Sequence, residues 1–468
     1  MLQGKGSFAI IAGLLMLTAG LAGCAQQPAD GEASTTSACL EDGEGSMEDT
    51  GDGEADSIET EASTPIEQRL SPMPSAQQGE SEPITIGTLL PLTGELKQFG
   101  PDMQRAVELA AEDINNAGIL SQEIEIAQGD SQTDDAQAPQ ELNRLINQED
   151  IVGFVGAASS GVSGSVIEQA VSNEIAMVTP ASTSPALTER QNDGFFFRVV
   201  PNDMMQGQVM AQTLEEDGVE SVSTLYVNND YGQGFNDVLV DEFNGSVVNE
   251  VGFDNDETQF SSQVTQVSSD DPDATVVVAY PGNAVPIMDE AFSQGVTSEQ
   301  KFYFSEGVFS EDFLGEVGED EEGNHVIAGC MGTTPQILLD PGPQSFQERF
   351  NETYDHRPGL FAAQSYDATV AMALGIAYSD SADPSEFKQG MREVWNAPGQ
   401  ETSNVTEALT LAETGQDIDW EGPSGAFDWN EDNEPIRGLY GVWKVTEDGG
   451  FEIVRDNIEA SMDGGSGN

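Results

Sequence analysis

The chain has 468 residues, which is enough for two or more domains that each have a hydrophobic core. It carries 84 acidic residues against 15 basic ones, so the formal net charge is −69. This charge argues against nucleic acid as a partner, because the phosphate backbone would repel it. We interpret most of the acidic residues as a solvated surface adapted to high salt, where dense counter-ions screen self-repulsion, and we expect a halophilic source.

The first residues have the pattern of an export signal. Lys5 provides a positive charge, and the apolar run from Phe8 to Gly23 is shorter than the roughly 20 residues that a membrane-spanning helix needs. The run ends in Leu-Ala-Gly-Cys at Cys24, which resembles the lipobox of bacterial lipoproteins. We therefore expect residues 1–23 to be a signal peptide, and we expect Cys24 to anchor an exported protein to the cell envelope membrane through a lipid.

Residues 24–82 are rich in small and acidic residues and poor in aromatic ones. Such a composition cannot bury a core, so we predict a disordered tether between the lipid and the folded part. The two remaining cysteines are Cys39, in this tract, and Cys330, in a strand-like run. Their spacing supports neither a metal site nor a redox motif, and His325 and His356 have no acid or cysteine at ligand spacing. We expect no metal and no cofactor.

From Pro83 the chain alternates between short apolar runs and amphipathic stretches. The run at residues 84–92 predicts a buried strand, and residues 101–118 predict a helix with a proline in its first turn and a glycine at its end. Strand and helix patterns then alternate up to the strand-like run IAMVTP, which ends at Pro180. Alternation at this spacing predicts βαβ units and a parallel sheet.

The same rhythm restarts with the strand-like run FFFRVVP, which ends at Pro201, and continues to the run KFYFSEG. Helical patterns follow at residues 344–354 and 364–379, and the strand-like run GLYGVWKV comes near the end. We therefore predict an α/β protein of two lobes, each with a doubly wound parallel sheet, and a hinge between them. The predicted ranges are 83–201 with 334–436 for the first lobe, 202–333 with 437–458 for the second, and 459–468 for a disordered tail.

The ends of the predicted strands suggest a ligand site, because ligands of open parallel sheets bind beyond the carboxyl ends of strands. In the first lobe, Ser160 comes just before a predicted helix at residues 162–171, whose amino end can hold a carboxylate. The stretch TPASTSP adds the Thr183 hydroxyl and the Ala181 carbonyl, and Phe99 offers an apolar contact. A plainer interpretation makes the serine a helix cap and the TPASTSP stretch the start of a short helix.

In the second lobe, the strand ends carry Tyr231, Tyr280 and Glu306. The carboxylate of Glu306 can receive an ammonium group, and the two tyrosines can add ring faces for the cation. Both lobes together would therefore suit a zwitterion. Taken singly, each tyrosine is better interpreted as a core residue, and Glu306 is one acid among 84.

Five segments together resemble the branched-chain amino-acid binding proteins of ABC transporters, which have the type I periplasmic-binding-protein fold. They are ITIGTLLPLTGELKQFGPDMQRAVELAAEDINNAG, DSQTDDAQAPQELNRLINQEDIVGFVGAASSGVSGSV, TPASTSPALT, NNDYGQGF and FSEG. The resemblance covers about residues 83–454. It implies that Phe99, Ser160, Ala181, Thr183, Tyr231, Tyr280 and Glu306 bind the ligand and that Asp203 lies at the hinge. Two features depart from the family: the disulfide of some members has no cysteines here, and the long acidic tether is unusual.

The resemblance further implies a monomeric binding protein that captures an amino acid, branched-chain or aliphatic, and delivers it to an ABC permease with its ATPase. Two alternatives stay open: a protein of the same fold that binds amides, urea or aromatic acids, and a ligand sensor module. An enzyme is disfavoured, since the sequence has no G-x-S-x-G elbow, no phosphate-binding loop and no metal motif.

Overall fold

The computed structural model describes residues 82–320, 322–335 and 345–462. The predicted signal peptide, the lipid site at Cys24, nearly all of the tether and the last six residues lie outside these ranges. Within them, no helix combines the length and the apolar character that crossing a membrane requires.

The first lobe is built on a five-stranded parallel sheet in the order β2-β1-β3-β4-β5. Its strands are β1 (Ile84–Leu89), β2 (Ile124–Ala127), β3 (Gly153–Gly156), β4 (Ala176–Thr179) and β5 (Phe196–Arg198). The helices that connect them are α1 (Gly100–Ala117), α2 (Ala138–Gln148) and α3 (Ser160–Ser172).

The second lobe is built on a seven-stranded sheet in the order β14-β13-β10-β9-β8-β6-β7. Its strands are β6 (Ser221–Val227), β7 (Ser246–Phe253), β8 (Ala274–Val278), β9 (Lys301–Phe304), β10 (Met331–Pro335), β13 (Arg437–Val445) and β14 (Phe451–Ser461). Its helices are α4 (Asp203–Glu216), α5 (Asp230–Glu242), α6 (Ser261–Val267), α7 (Pro281–Ser293) and α8 (Glu311–Val317). The first five strands are parallel, whereas β13 and β14 extend the sheet in antiparallel fashion.

The later helices return to the first lobe. They are α9 (Ser345–Tyr354), α10 (Ala362–Ser379), α11 (Pro384–Glu393) and α12 (Val405–Glu413), with a small two-stranded sheet of β11 (Gln400–Thr402) and β12 (Ile418–Trp420). Helix α10 packs along α1 and also contacts β3 and β4. Because it is buried around nearly its whole circumference, its sequence is apolar or small at most positions rather than amphipathic.

Helix α1 shows how the sequence sets one of these elements. Proline lies in its first turn, where the missing N–H costs nothing, and the apolar face of Met103, Val107 and Ile114 is buried. The helix ends at Gly118, whose φ of 64° lies in the left-handed region that favours glycine.

The chain crosses between the lobes three times: between β5 and α4, between β10 and α9, and just before β13. A buried ion pair ties the first crossing to the third. The Arg198 guanidinium, fully buried, lies 2.9 Å from the Glu434 carboxylate, and Asn202 Nδ2 donates to the same carboxylate at 3.1 Å. The two crossings are thereby held side by side.

Several predicted boundaries are corrected by the structure. Helix α3 begins earlier than the apolar periodicity suggested, at Ser160 rather than residue 162, and helix α5 begins at Asp230. For α5 the reason is the cap, because the Asn229 side chain accepts hydrogen bonds from two backbone N–H groups of the first turn. Strand β10 keeps residues 334–335 in the second sheet. Strand β14 runs to Ser461, since its end pairs with the start of β13, so the predicted tail at 459 begins too early.

Candidate functional site

A narrow pocket lies between the lobes. It contains six of the seven residues proposed from strand ends, and its lining is Leu96, Phe99, Met103, Ala158, Ser160, Ala181, Tyr231, Tyr280, Glu306, Gly307 and Phe361. The centre of a water molecule can occupy only about 20 Å³ of this space, so a larger molecule can enter only when the lobes move apart.

The stretch that follows β4 is held by its own hydroxyl groups. Thr179 Oγ1 donates to the Ala157 carbonyl at 2.6 Å and accepts from the Ser182 N–H at 3.0 Å. Ser182 Oγ also donates to Ala157, at 2.9 Å, and it contacts Ser163 Oγ at 2.7 Å. These hydroxyls replace the ladder hydrogen bonds that the prolines prevent, and they place Ala181 at the pocket wall.

The amino end of α3 forms one side of the pocket. Ser159 is the residue at the cap, but its side chain makes no capping bond and instead contacts the Tyr280 hydroxyl of the other lobe at 3.1 Å. Ser160, buried at the first helical position, accepts a hydrogen bond from the Ser184 N–H at 3.2 Å. The free N–H groups of this 13-residue helix can bind a carboxylate at that end.

The two tyrosines of the second lobe stack on each other across the opposite wall. The Tyr231 and Tyr280 rings are 5.5 Å apart with an interplanar angle of 11°. Tyr231 donates to Ser305 Oγ at 2.7 Å, and the Tyr280 hydroxyl accepts from Asn229 Nδ2 at 3.1 Å. Burial, as the largest cause, raises the pKa of both hydroxyls, so both are neutral donors at ordinary pH.

Two buried carboxyl groups interact at the pocket: Glu306 belongs to the lining, and Asp203 does not. Glu306 is 3% exposed, and its Oε2 accepts from Gln206 Nε2 at 2.7 Å. Burial raises its pKa to about 7, against the smaller opposing effect of its hydrogen bonds. Asp203 is completely buried, and its pKa is raised well above the ordinary value, first by burial and then by the charge of Glu306. A cation in the pocket would relieve both effects.

Thr183 does not line the pocket. Its carbonyl accepts from the Asp203 N–H at 2.8 Å, which places it beside the buried acids. Among the described residues, both carboxylate oxygens of Asp203, Gln206 Oε1 and the Thr183 hydroxyl make no hydrogen bond of regular geometry, although the Thr183 hydroxyl is near enough to Asp203 to lower the pKa of that carboxyl. Three acceptor oxygens and one hydroxyl are thus gathered in one buried region, and an ammonium group carries three donors that could meet the acceptors. Asp203, predicted as a hinge residue, belongs to this region as well as to the start of α4.

The apolar end of the pocket was largely missed by sequence reasoning. Phe361 comes from the turn before α10, and its ring meets Phe99 edge to face at 6.3 Å. Its φ of 65° is a left-handed conformation that is uncommon for a residue other than glycine. Leu96 and Met103 complete this end, where an aliphatic side chain would find only apolar contacts. Among the described residues, no cluster of three or more acid, histidine or cysteine side chains is arranged to hold a metal ion.

Comparison with known proteins identifies the family of the chain. A family model for periplasmic binding proteins matches residues 83–442. BasB, a substrate-binding protein of a chemotactic signal transduction system in Halobacterium salinarum, is 25% identical over 379 residues, which is 79% of this chain and 88% of BasB. A leucine-, isoleucine-, valine-, threonine- and alanine-binding protein from Pseudomonas aeruginosa is 26% identical over 323 residues, 67% of this chain and 83% of that protein.

A solved structure, the leucine binding protein LivK from Thermotoga maritima, superposes with a TM-score of 0.68. The alignment covers 81% of this chain and 99% of that chain at 23% identity, which is a likeness of fold. The resemblance predicted from the sequence is therefore confirmed. The chain belongs to the periplasmic binding protein family, a family of ligand-binding proteins, and it has the two-lobed α/β architecture of the type I fold.

Proposed function

We propose that this protein captures a free aliphatic amino acid, branched-chain in the first instance, between its two lobes. The observation that carries the proposal is the pair of buried acids, Glu306 and Asp203, beside a pocket whose far end is apolar. An isolated carboxylate is costly to bury, so a bound ammonium group is the natural partner. The amino end of α3, on the opposite lobe, would receive the carboxylate of the same ligand.

The proposed ligand contacts follow the chemistry of each wall. Ser160 and the Ala181 backbone would hold the backbone end of the amino acid from the first lobe, and Thr183 would share the ammonium with the acids. Tyr231 and Tyr280 would cover the ligand from the second lobe. Phe99, with Phe361, would contact the aliphatic side chain. Closure of the lobes about the chain crossings, with Asp203 at the hinge, would complete the site.

Ligands without an amino group fit this pocket less well. An aromatic acid, for example, would place its only charge near two carboxyl groups and leave Glu306 without a partner. Amides and urea would leave the apolar end unfilled. The acids beside the pocket therefore favour an amino acid over each of the alternatives that the sequence left open.

Calorimetric titration of the purified protein at high salt would test the proposal. We expect tight, stoichiometric binding of leucine, isoleucine or valine, and loss of that binding in Glu306→Gln. High salt is needed because this charge could unfold the chain at low ionic strength. A folded protein that binds none of the 20 amino acids would refute the proposal, and amides, urea and aromatic acids would then be titrated.

We further propose that the protein is a monomer, anchored outside the cytoplasm through Cys24, that hands its ligand to an ABC permease. A sensory role is a second candidate, because the relative from Halobacterium salinarum belongs to a chemotactic system. Deletion of the gene separates the two roles. Loss of amino-acid uptake with intact chemotaxis would support transport, and the reverse would support sensing.

A further inference from the structure

The two lobes touch at several places outside the pocket, and at one of them α3 and the turn after β4 meet α5. Arg190 of the first lobe lies 2.7 Å from the Asp230 carboxylate of the second and also donates to the Gly164 carbonyl at 3.1 Å. Ser184 of the first lobe donates from Oγ to the Asp230 carbonyl at 2.7 Å. Asp230, the first residue of α5, is therefore held by both a side-chain and a backbone contact.

Glycines lie where the two lobes approach each other here. A Cβ atom on Gly164, in α3, would lie 2.4 Å from Asp230 Oδ2. A Cβ atom on Gly234, in α5, would lie 2.7 Å from Ser184 Oγ and 3.0 Å from Pro185 Cδ. Both glycines sit inside helices, where alanine is the more favourable residue, so their small size is explained by the opposite lobe rather than by the helix.

This contact is connected to the ligand pocket through one residue. The Ser184 N–H donates to Ser160 Oγ at 3.2 Å, and Ser160 lines the pocket. Ser184 thus bonds on one side to a residue proposed to hold the ligand and on the other side to the second lobe.

We propose that Arg190, Asp230 and Ser184 form an interlobe latch, a set of positioning residues that stabilises the closed lobes and so slows release of the ligand. As a determinant of affinity the latch rests on the proposed function. As a contact that keeps the lobes together it does not require a ligand. None of the three residues lines the pocket, so they would act on affinity only through closure.

The expected size of the effect follows from exposure. The side chains of Arg190 and Asp230 are 41% and 26% exposed, so their ion pair is a partly solvated one. Removing an ion pair of this kind changes the equilibrium between open and closed lobes by about two- to five-fold, and salt reduces the effect further. Since the latch must open before the ligand can leave, weakening it should raise the dissociation rate.

Gly164→Ala is the most informative variant. The new methyl group would displace the Arg190 and Asp230 side chains, while alanine would favour α3 itself. We expect weaker amino-acid binding and faster dissociation together with an unchanged or higher melting temperature. A merely structural role for this glycine would instead lower the melting temperature. Gly315→Ala is the matched control, because this helical glycine has no atom within 4 Å of its would-be Cβ, and it should leave binding unchanged.

A double-mutant cycle tests the ion pair itself. Arg190→Gln and Asp230→Asn should each speed dissociation about two- to five-fold, and the double variant should be no worse than the more affected single variant. Arg144→Gln is the control, since Arg144 pairs with Glu141 within one helix. Fully additive effects of the two latch substitutions, or none, would overturn the proposed pairing.

Energy transfer between fluorophores on Gln148 and Glu316, which are exposed on α2 and α8, measures lobe separation without any ligand. Gly164→Ala should lower the transfer efficiency of the ligand-free protein relative to wild type and to Gly315→Ala. Equal efficiencies would overturn the latch. If the wild-type protein bound no amino acid, the proposed function would fail, but this measurement would still decide for or against the latch.

Discussion

Replacing Glu306 with glutamine should change stability and binding in opposite directions. The carboxyl is 3% exposed, and burial raises its pKa from 4.5 to about 7 in the ligand-free protein. A raised pKa means that the folded state binds the proton more tightly than the unfolded state does. The ionised group therefore destabilises the folded protein, by an amount that grows between about pH 4.5 and pH 7 and is constant above.

The magnitude follows from the size of the pKa change. At about 1.4 kcal/mol for each pH unit, the ionised Glu306 costs on the order of 3 kcal/mol of folding free energy at pH 8. Glutamine keeps the shape and can still accept from Gln206, which donates to the present carboxylate at 2.7 Å. It also removes the charge that helps to raise the pKa of Asp203.

The assay is urea denaturation of ligand-free wild type and Glu306→Gln at several pH values in high salt. We expect the variant to be more stable by on the order of 3 kcal/mol at pH 8 and the difference to shrink towards zero near pH 4.5. The exposed Glu316→Gln serves as a control and should show no such trend. Equal stability of Glu306→Gln and wild type at pH 8, or a difference independent of pH, would refute the reasoning.

Three further predictions concern the same region. If the ligand's ammonium pairs with ionised Glu306, whose pKa is about 7, the dissociation constant should be about tenfold larger at pH 6 than at pH 8. A dissociation constant that calorimetry finds independent of pH would contradict this. Arg198→Met should lower the free energy of unfolding, measured by urea denaturation, by about 3–5 kcal/mol, because Glu434 is left buried and unpaired. The double variant Arg198→Met with Glu434→Leu should recover most of this loss, and additive losses would contradict the prediction. Phe361→Leu should lose about 0.5–1.5 kcal/mol of ring contact with Phe99 and shift binding towards larger apolar amino acids, whereas an unchanged order of affinities would place the side-chain end elsewhere.

Residues whose position follows from local rules were predictable. Ser160 and Glu306 follow parallel strands, β3 in the first sheet and β9 in the second, and the carboxyl ends of such strands face a common cleft. The prediction that they meet needed only the alternation of strands and helices. Thr183 was less predictable, because four neighbouring hydroxyls look alike in sequence. Thr179, Ser182 and Ser184 donate to backbone carbonyls. Only the three-dimensional course of the loop decides which hydroxyl has no such carbonyl and faces the buried acids.

Residues brought in from distant parts of the chain were not predictable. Phe361 reaches the pocket after the second crossing between the lobes, and no periodicity marks it as a pocket residue. The edge strands β7 and β14 were also missed or cut short, because both are largely exposed and carry many polar residues. Their conformation depends on pairing with β6 and β13, which is tertiary information.

The hydroxyl-held loop after β4 has a consequence for how such a protein diversifies. Its shape depends on bonds to main-chain atoms and on Arg198, whose Nη1 donates to the Ser182 carbonyl at 2.9 Å. The apolar end of the pocket comes from other segments, including Phe99 and Phe361. Mutation can therefore reshape the end that we assign to the ligand's side chain while the end assigned to its charged groups is inherited intact. One ancestral framework could in this way give rise to receptors for a series of nutrients that share a head group.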